Sequence, residues 1–238
     1  MSSSPVPGMA WALLATWFGI FLAAQALLLD DPNAFRHWIG EDRLVEWLTF
    51  IVLVGASAWS VAVCLEFHKA RAGRGPCTAW ILIAAGLAFG ALEEVSWGQR
   101  IFGWQSPHFF LVHNAQQELN VHNLVVGGVK LNKLIFGKGL ALFILLYVGL
   151  LPTLYRKRPR IRYLVEGAGL PIAQNYQILA WLLGALAVRP AASLVGKANE
   201  LFELLACTLI FLTLYHPFNG WVLPRTRHIA RESLREGR

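Results

Sequence analysis

The sequence has few charged residues for its length. Only 15% of its 238 residues are Asp, Glu, Lys or Arg, whereas about a quarter of a soluble domain is usually charged. Acidic residues are the scarcer sign, with 14 Asp and Glu against 21 Lys and Arg. The basic residues fall in short stretches between apolar runs, where they orient membrane helices, so the excess of positive charge does not indicate nucleic-acid binding.

Cysteine is also scarce. The chain has three, Cys64, Cys77 and Cys207, which lie in or beside apolar runs and form no CxxC pair. This number and spacing support neither a disulfide framework nor a cysteine-ligated zinc site. We therefore interpret the three cysteines as small buried thiols.

Long apolar runs are what the sequence has in abundance. Runs of about 20 residues without strand or amphipathic-helix periodicity are typical of transmembrane helices. We predict an all-α integral membrane protein that forms a single membrane domain over residues 1–238. Because residues 1–8 lack the basic start of a signal peptide, we interpret the first run as a retained span. The six predicted spans are about 9–29, 44–65, 77–102, 139–155, 170–188 and 198–215.

The distribution of basic residues predicts how these spans are oriented. The segments after spans two, four and six carry 13 Lys and Arg, against 8 in the rest of the chain. By the positive-inside rule both termini lie in the cytoplasm, with a basic cytoplasmic tail at 224–238 and a polar outer segment at 103–137. That outer segment is either re-entrant or interfacial between spans three and four. We expect the protein in a bacterial inner membrane, where the basic run at 156–162 sets topology or binds anionic lipid.

A polar motif, Glu93–Arg100, lies at the outer end of span three. Ionisable groups at membrane depth usually face a protein interior or a wet cavity. Glu93 and Glu94 are therefore candidates for a general acid or base, the alternative being a structural pair between a glutamate and Arg100. On a continuous helix, one broad face that allows another helix to approach closely carries Gly86, Gly90, Glu93, Trp97 and Arg100.

The densest polar cluster of the chain lies in the outer segment. Its amides offer donors and acceptors for a polar head group, a sugar or a phosphate, and the alternative is capping and turn chemistry around a re-entrant segment. His113 and His122 are candidates for proton shuttling or metal ligation, or are hydrogen-bonded loop histidines. Their spacing matches no metal motif, so we assign no metal site, and the cofactor stays unknown. The cluster consists of His113, Asn114, Gln116, Gln117, Glu118, Asn120, His122 and Asn123.

Two further glutamates, Glu46 and Glu203, lie one turn inside spans that run from the outer to the inner side. The alternative interpretation is that they are interfacial carboxylates that reach water by snorkelling. Taken with the motif and the polar cluster, they predict an outward-facing chamber lined by polar groups and carboxylates. The segment 103–137 is expected to roof this chamber.

The run Glu93–Gly103, followed by Glu118–Leu124, resembles a signature of uncharacterised bacterial multi-pass membrane proteins, EE(V/I)SWGQR…NxHNL. The resemblance covers roughly residues 40–125 and implies a six-span-like membrane fold, with no activity to carry over. The gathering of Glu, Ser, Asp and His among helices is also similar to membrane-embedded hydrolases of the ceramidase and adiponectin-receptor type. Their paired-histidine zinc motif on the last span is missing here, where span six ends with His216 alone.

These features favour a membrane-embedded enzyme that acts on a lipid or lipid-linked substrate at the outer leaflet. Glu93 or Glu94 is the expected acid–base group, Arg100 is expected to hold an anionic group, and His122 to orient the substrate. Two alternatives stay open: a transporter or proton-coupled permease, and a non-catalytic subunit that binds a protein partner or a second copy of the chain. Membrane lipids are the expected partners, and nucleic acid is not. The other residues expected to bind substrate are Trp97, Gln99, Gln117, Glu118, Asn120, Asn123, Glu46 and Glu203.

Overall fold

The computed structural model describes residues 6–40, 43–121, 123–131 and 139–224. This part of the chain is helical apart from its connections and one ribbon, in which β1 (Val125–Val126) pairs antiparallel with β2 (Val129–Lys130). The all-α prediction is therefore confirmed for the described residues at the level of architecture. A π-helical turn, Leu145–Leu150, links α7 to α8. The helices are α1 (Gly8–Asp30), α2 (Pro32–Trp38), α3 (Leu44–Lys69), α4 (Arg74–Glu94), α5 (Gln99–Phe102), α6 (His108–His113), α7 (Leu140–Ile144), α8 (Leu151–Lys157), α9 (Pro159–Gly167), α10 (Asn175–Leu194) and α11 (Asn199–Tyr215).

Within the described part of the chain, five helical stretches are long and apolar enough to cross a membrane: α1, α3, α4, α10, and Gly196–Tyr215, which contains α11. In α1, α3, α4 and α10 most residues of the apolar window are not buried, as in a protein surrounded by lipid. Only 11% of the apolar window of α1 is buried, whereas 56% of the window in Gly196–Tyr215 is buried, so α11 is central and α1 peripheral. These helices indicate an integral membrane protein, and the identity of the membrane stays a prediction.

A stripe of leucines on α11 forms the centre of the core. The leucines recur every three or four residues, which places them on one face of the helix. Helix α10 approaches this face most closely at Gly184, where an added methyl group would overlap the Leu205 side chain. The stripe, at most 1% exposed throughout, consists of Leu201, Leu205, Leu209 and Leu212.

Contacts between helices fix their directions. At its start, α3 brings Glu46 near Glu203 of α11, and further along Trp59 Nε1 donates to Leu214 O at 3.2 Å. Helices α3 and α11 therefore run in the same direction. Helix α4 runs back along α3, so that its last residue, Glu94, also lies near Glu203. We call the end defined by these three glutamates the acidic end, and the opposite end, where α3 meets α4, the basic end.

Helix α10 starts at the basic end. Gln177 Nε2 in its first turn donates to Leu212 O near the end of α11 (3.0 Å), so α10 runs antiparallel to α11 and in the same direction as α4. Because α4 finishes at the acidic end and α10 begins at the basic end, the chain between them has to return along the bundle. The helical stretch 140–157 lies on this return, since Arg156 Nη2 in its last turn donates to Asn175 Oδ1 at 2.8 Å.

The stretch 140–157 covers most of predicted span four. Within the described residues it is not among the five membrane-length helices, so the count of six spans stays a prediction. Helices α1, α3 and α11 match predicted spans one, two and six within four residues.

Predicted span three, 77–102, is wrong at its end. Helix α4 stops at Glu94, because the chain turns into left-handed backbone conformations that a right-handed helix cannot continue through. Trp97 and Arg100 therefore do not extend the face of α4 that carries Glu93. The three consecutive residues with positive φ, of 46°, 56° and 77°, are Ser96, Trp97 and Gly98.

The glycine pattern of α4 does not form the expected tight helix contact. Gly86 is exposed, with no neighbour within 4 Å of an added Cβ, and Gly90 meets Leu53 at an ordinary 3.5 Å. The helix instead buries a stripe of mostly larger side chains against its neighbours, and the two glycines fall beside it. That stripe consists of Trp80, Ala84, Leu87 and Ala91.

Predicted span five, 170–188, starts too early and ends too soon. Helix α10 begins at Asn175 and runs to Leu194, and residues 171–174 are buried without being helical. Asn219 compensates this backbone: its Oδ1 accepts from Ile172 N (2.8 Å) and its Nδ2 donates to Leu170 O (2.9 Å). Side-chain hydrogen bonds from a distant residue therefore replace helical ones in an apolar sequence.

Candidate functional site

The acidic end carries two neighbouring groups of polar side chains. One lies in a folded segment after α4, residues 95–121 and 123–131, which we call the cap. The other is the set of three glutamates that defines the acidic end. Glu93 and Glu94 are the last two residues of α4, and one belongs to each group.

Glu93 is buried, with 4% of its surface exposed, and its carboxylate holds the cap. Trp97 Nε1 donates to Oε1 at 2.7 Å, and Val121 N donates to Oε2 at 2.8 Å. These donors compensate the carboxylate for the water that it loses on burial. The side chain of Arg100 is not described by the structure, so the predicted pair between Arg100 and a glutamate is untested.

A second hydrogen-bonded group joins the turn after α4 to the far side of the cap. Ser96 Oγ donates to Glu118 Oε2 at 2.7 Å, and Asn120 Nδ2 donates to Ser96 Oγ (2.9 Å) and to Glu118 Oε2 (3.2 Å). Ser96 and Asn120 are both buried. These bonds offset the cost of the left-handed backbone at Ser96, which a serine seldom adopts.

Four side-chain amides close the loop at the centre of the cap. Asn114 Nδ2 donates to Asn120 O (2.8 Å) and to Asn120 Oδ1 (2.9 Å), and Asn114 Oδ1 accepts from Gln116 N (2.8 Å). Asn123 N donates to Asn120 Oδ1 (3.0 Å), and Asn123 Nδ2 donates to Gln116 Oε1. The amide oxygens thus satisfy backbone donors of a segment that has little regular structure.

Gln99 and Ser106 fasten the cap from α5. Gln99 Oε1 accepts from Leu119 N (2.6 Å), and Gln99 Nε2 donates to Ser106 Oγ (2.8 Å). Ser106 Oγ in turn lies 2.6 Å from Gln117 O and donates to it. The short helix α5 is therefore tied to the 117–119 backbone.

In the cap, side-chain amides and hydroxyls form hydrogen bonds with backbone groups of the cap itself, as the capping alternative for the polar cluster predicts. The predicted substrate-binding residues Gln99, Glu118, Asn120 and Asn123 all lie in this network. Their contacts give them a structural role, and substrate binding by them is untested. Among the residues 93–99 of the motif, Trp97 is the most accessible, with 39% of its surface exposed. The centroid of its ring lies 5.9 Å from that of Phe89.

The three glutamates of the acidic end come from three different membrane helices. Glu46 lies in the first turn of α3, Glu94 is the last residue of α4, and Glu203 lies in the second turn of α11. Each is partly buried, and Glu203 interacts electrostatically with both of the others. Cys207, one turn further along α11, is near Glu94 and Glu203. Each glutamate is a candidate from sequence alone, and the fold brings the three together.

The two histidines of the polar cluster do not both fall in the described residues. His122 lies outside them, so its predicted catalytic role is untested. His113 ends α6 at the surface, with Nδ1 2.9 Å from Phe109 O and its ring stacked on Phe109. Where the structure describes the chain, no group of three or more His, Cys, Asp or Glu is arranged to hold a metal ion.

A buried polar layer at the basic end is not predicted by the sequence patterns above. Gln177, fully buried, donates from Nε2 to Leu212 O and accepts at Oε1 from Thr213 Oγ1 (3.2 Å) and from Gln174 N (2.8 Å). Gln174 Nε2 lies 3.1 Å from ring nitrogens of His216, and burial lowers the pKa of His216. The signal that could have found it is a pair of glutamines opening an apolar run.

A scan against protein-family models and searches of curated proteins and of solved structures found no match to this chain. The resemblance of its motif to bacterial multi-pass membrane proteins therefore stays an expectation. The function proposed below therefore rests on the arrangement of the side chains at the acidic end.

Proposed function

We propose that the protein crosses a bacterial inner membrane six times, with both termini in the cytoplasm and the acidic end at the outer side. The separation of charge along the bundle supports this orientation, because the loop 69–74 and the run 156–162 lie at the basic end. The return of the chain from α4 to α10 supports a sixth crossing. The stretch 140–157 is roughly 27 Å long as a helix, close to the thickness of about 30 Å of a bilayer core.

We further propose that the acidic end is the site of a membrane-embedded enzyme that acts on a lipid or lipid-linked substrate. The observation that carries this proposal is the convergence of Glu46, Glu94 and Glu203 from three spans. Carboxylates that repel one another in a poorly solvated place share protons, so that one can act as an acid while another acts as a base. This pairing is what general acid–base catalysis needs.

Glu94 and Glu203 are the proposed acid–base pair, and Glu93 is a positioning residue. Both carboxylate oxygens of Glu93 accept hydrogen bonds from the cap, which fixes the end of α4 and with it the adjacent Glu94. Trp97, whose side chain is exposed, lies at the start of the cap, and Arg100 follows it three residues later; both keep their proposed role of holding the anionic group of a substrate. His122 keeps its proposed role of orienting the substrate.

A substrate dissolved in the bilayer could reach this site from the side. Exposed apolar residues on α4 lie within two turns of Glu94: Phe89 is 41% and Leu92 is 37% exposed. Further along α11 towards the basic end, hydroxyls are bonded to their own helix, as Thr208 Oγ1 is to Leu204 O (2.8 Å). The polar groups therefore favour chemistry at one end of the bundle over a transport path through it.

The experiment is a product search with matched glutamate variants. The purified protein is placed in nanodiscs made from a bacterial lipid extract, and lipids are profiled by mass spectrometry over time. We expect the wild type to convert one lipid class, and Glu94→Gln and Glu203→Gln to slow conversion by about a hundredfold or more. Glu200→Gln, one turn away on α11, removes a charge of the same sign and is expected to keep the rate within a few-fold.

Three outcomes would overturn the enzyme proposal. Equal conversion by wild type and Glu94→Gln would show that the carboxylates are not the reacting groups. No conversion in any lipid fraction, with proton uptake into proteoliposomes that Glu203→Gln abolishes, would favour the permease alternative. No conversion and no uptake, with folded variants, would favour the partner-binding subunit.

A further inference from the structure

A groove lies at the basic end of the α3–α4 hairpin, far from the acidic end. It has a volume of about 690 Å³ and is lined by the last turns of α3, the connecting loop and the first turns of α4. Along α3 it is separated from Glu46 by roughly 27 Å, taking Cys64 as its nearest lining residue. The groove is therefore a separate place from the proposed catalytic site and does not depend on it.

The loop that rims the groove has a fixed shape. Arg71 has a positive φ of 51° and Gly73 one of 90°, and the turn is closed by Arg71 N donating to His68 O (3.0 Å) and Ala72 N donating to Phe67 O (3.1 Å). Such a turn at the end of a helix satisfies its last carbonyls. The basic side chains of the loop are thus carried on an ordered backbone.

The rim of the groove is positively charged. His68, Arg71 and Arg74 line it, and none of its lining residues is acidic. All three basic residues are exposed. Among the described residues, the salt bridge of the chain is Arg162–Glu166, and neither Arg71 nor Arg74 takes part in one. Two guanidinium groups without an acidic partner favour a phosphate as ligand.

The floor of the groove is apolar and continues onto the surface of the membrane helices. Cys64 and Phe67 are buried at its base, and Ile81, which is 47% exposed, carries it along α4. A soluble phosphate would use the rim alone. A phospholipid would use both parts, because its phosphate can meet the arginines while an acyl chain lies along the floor.

We propose that this groove binds one anionic phospholipid, with the headgroup phosphate on Arg71 and Arg74 and an acyl chain against Phe67 and Ile81. The lipid belongs to the leaflet at the basic end, which is the inner leaflet in the proposed orientation. Binding there ties the α3–α4 hairpin to the membrane surface at the end opposite the carboxylates.

Native mass spectrometry tests the proposal. The delipidated protein in detergent is titrated with phosphatidylglycerol or phosphatidylcholine of identical acyl chains, and the first bound lipid is quantified. We expect the wild type to prefer phosphatidylglycerol by roughly tenfold or more, given the attraction expected from two arginines. Arg71→Gln with Arg74→Gln is expected to remove this preference. Thr78→Trp, an exposed lining position, is expected to block the floor and weaken both lipids without changing charge.

Arg43→Gln with Arg189→Gln is the matched control. It removes the same charge from two exposed residues outside the groove, at the opposite end of the bundle, and it is expected to keep the preference. The proposal is overturned if the wild type shows no preference, or if the control loses it as fully as the Arg71 and Arg74 variant does. It is overturned as well if Thr78→Trp, shown to be folded by its unchanged melting temperature, binds both lipids like the wild type.

Discussion

Two adjacent glutamates at the end of α4 have different surroundings because successive helical residues point about 100° apart. Glu93 turns to the cap and accepts from Trp97 and Val121, whereas Glu94 turns to Glu46 and Glu203. A buried carboxylate that accepts two hydrogen bonds stabilises the structure around it, and removing its charge weakens those hydrogen bonds. The two residues therefore lie in different polar groups, Glu93 in the hydrogen-bond network of the cap and Glu94 beside the other two glutamates of the acidic end.

Glu93→Gln is expected to loosen the cap. The amide keeps one acceptor but replaces the other with a donor that faces Val121 N or Trp97 Nε1, which costs about 1–3 kcal/mol of cap stability. Hydrogen exchange read by mass spectrometry should show faster exchange across 114–121. Glu94→Gln is the control, because it makes the same chemical change at the adjacent residue. It is expected to leave hydrogen exchange in the cap near that of the wild type. Equal acceleration in both variants would contradict the division between the two residues.

Glu166 on α9 gives a pH-dependent prediction. Burial acts to raise its pKa, but the hydrogen bonds from Tyr155 (2.6 Å) and Arg162 (2.9 Å) and the charge of Arg162 outweigh it, so the pKa lies below its ordinary value of 4.5. A lowered folded-state pKa means that the stabilisation is complete above the unfolded-state pKa and is lost as pH falls through the folded-state pKa. Because the pair is largely exposed, solvent screens its charges and its contribution to stability is small.

Glu166→Gln should therefore lower the melting temperature at neutral pH and leave it unchanged at acid pH. Thermal unfolding of wild type and variant in the same detergent, at several pH values between neutral and about 3, measures the difference. The two curves should converge as pH falls below the ordinary pKa of a glutamate. A constant difference at every pH would assign the effect to packing.

Among the helices, α10 and α11 approach each other closely at a glycine. Gly184 lies against Leu205, and an added Cβ has no room there, whereas Gly86 on α4 has open space around it. Close approach of helices in a membrane depends on small residues at the crossing. A glycine has this role only if a neighbouring helix actually crosses at it, which a local pattern does not specify.

Gly184→Ala is expected to destabilise the α10–α11 pair by roughly 1–3 kcal/mol, the usual cost of overpacking. Gly86→Ala makes the same chemical change in a helix of similar length and is expected to be neutral or stabilising by up to about 1 kcal/mol. Melting temperatures of the two variants in one detergent give the comparison. If Gly86→Ala proved the more damaging, the packing of α4 described here would be wrong.

Across the whole bundle, the distribution of charged residues agrees with the directions in which the helices run. Glu46, Glu94 and Glu203 gather at one end of the bundle, and the basic loops 69–74 and 156–162 lie at the other. Because α4 packs antiparallel to α3 and α10 antiparallel to α11, the chain between α4 and α10 has to cross from the acidic to the basic end. The folded cap and the stretch 140–157 together provide that connection.

The proposed six-span topology predicts which positions an impermeant thiol reagent reaches in intact cells. With the three native cysteines replaced by serine, Gly127→Cys and Ser193→Cys should be labelled from outside, and Ala72→Cys and Arg160→Cys only after permeabilisation. All four positions are exposed. Labelling of Arg160→Cys from outside would show that 140–157 does not cross the membrane.

The local sequence predicts a helical chain with membrane-length apolar runs, and its predicted spans match α1, α3 and α11 within four residues. Those features depend on local composition and on the thickness of a bilayer, which are readable residue by residue. It also singled out Glu46, Glu93, Glu94 and Glu203 as candidates, because carboxylates in apolar runs are costly wherever they point. It could not say which of them meet.

The position at which α4 ends, and the glutamates that meet at the acidic end, follow from the tertiary structure. Ser96 and Trp97 have no intrinsic preference for a left-handed backbone, and their conformation is supported by Glu118, Asn120 and Glu93, some of them more than twenty residues away. The meeting of Glu46, Glu94 and Glu203 likewise depends on which helices are neighbours. Contacts between distant parts of the chain set both features, and no local pattern of residues encodes such contacts.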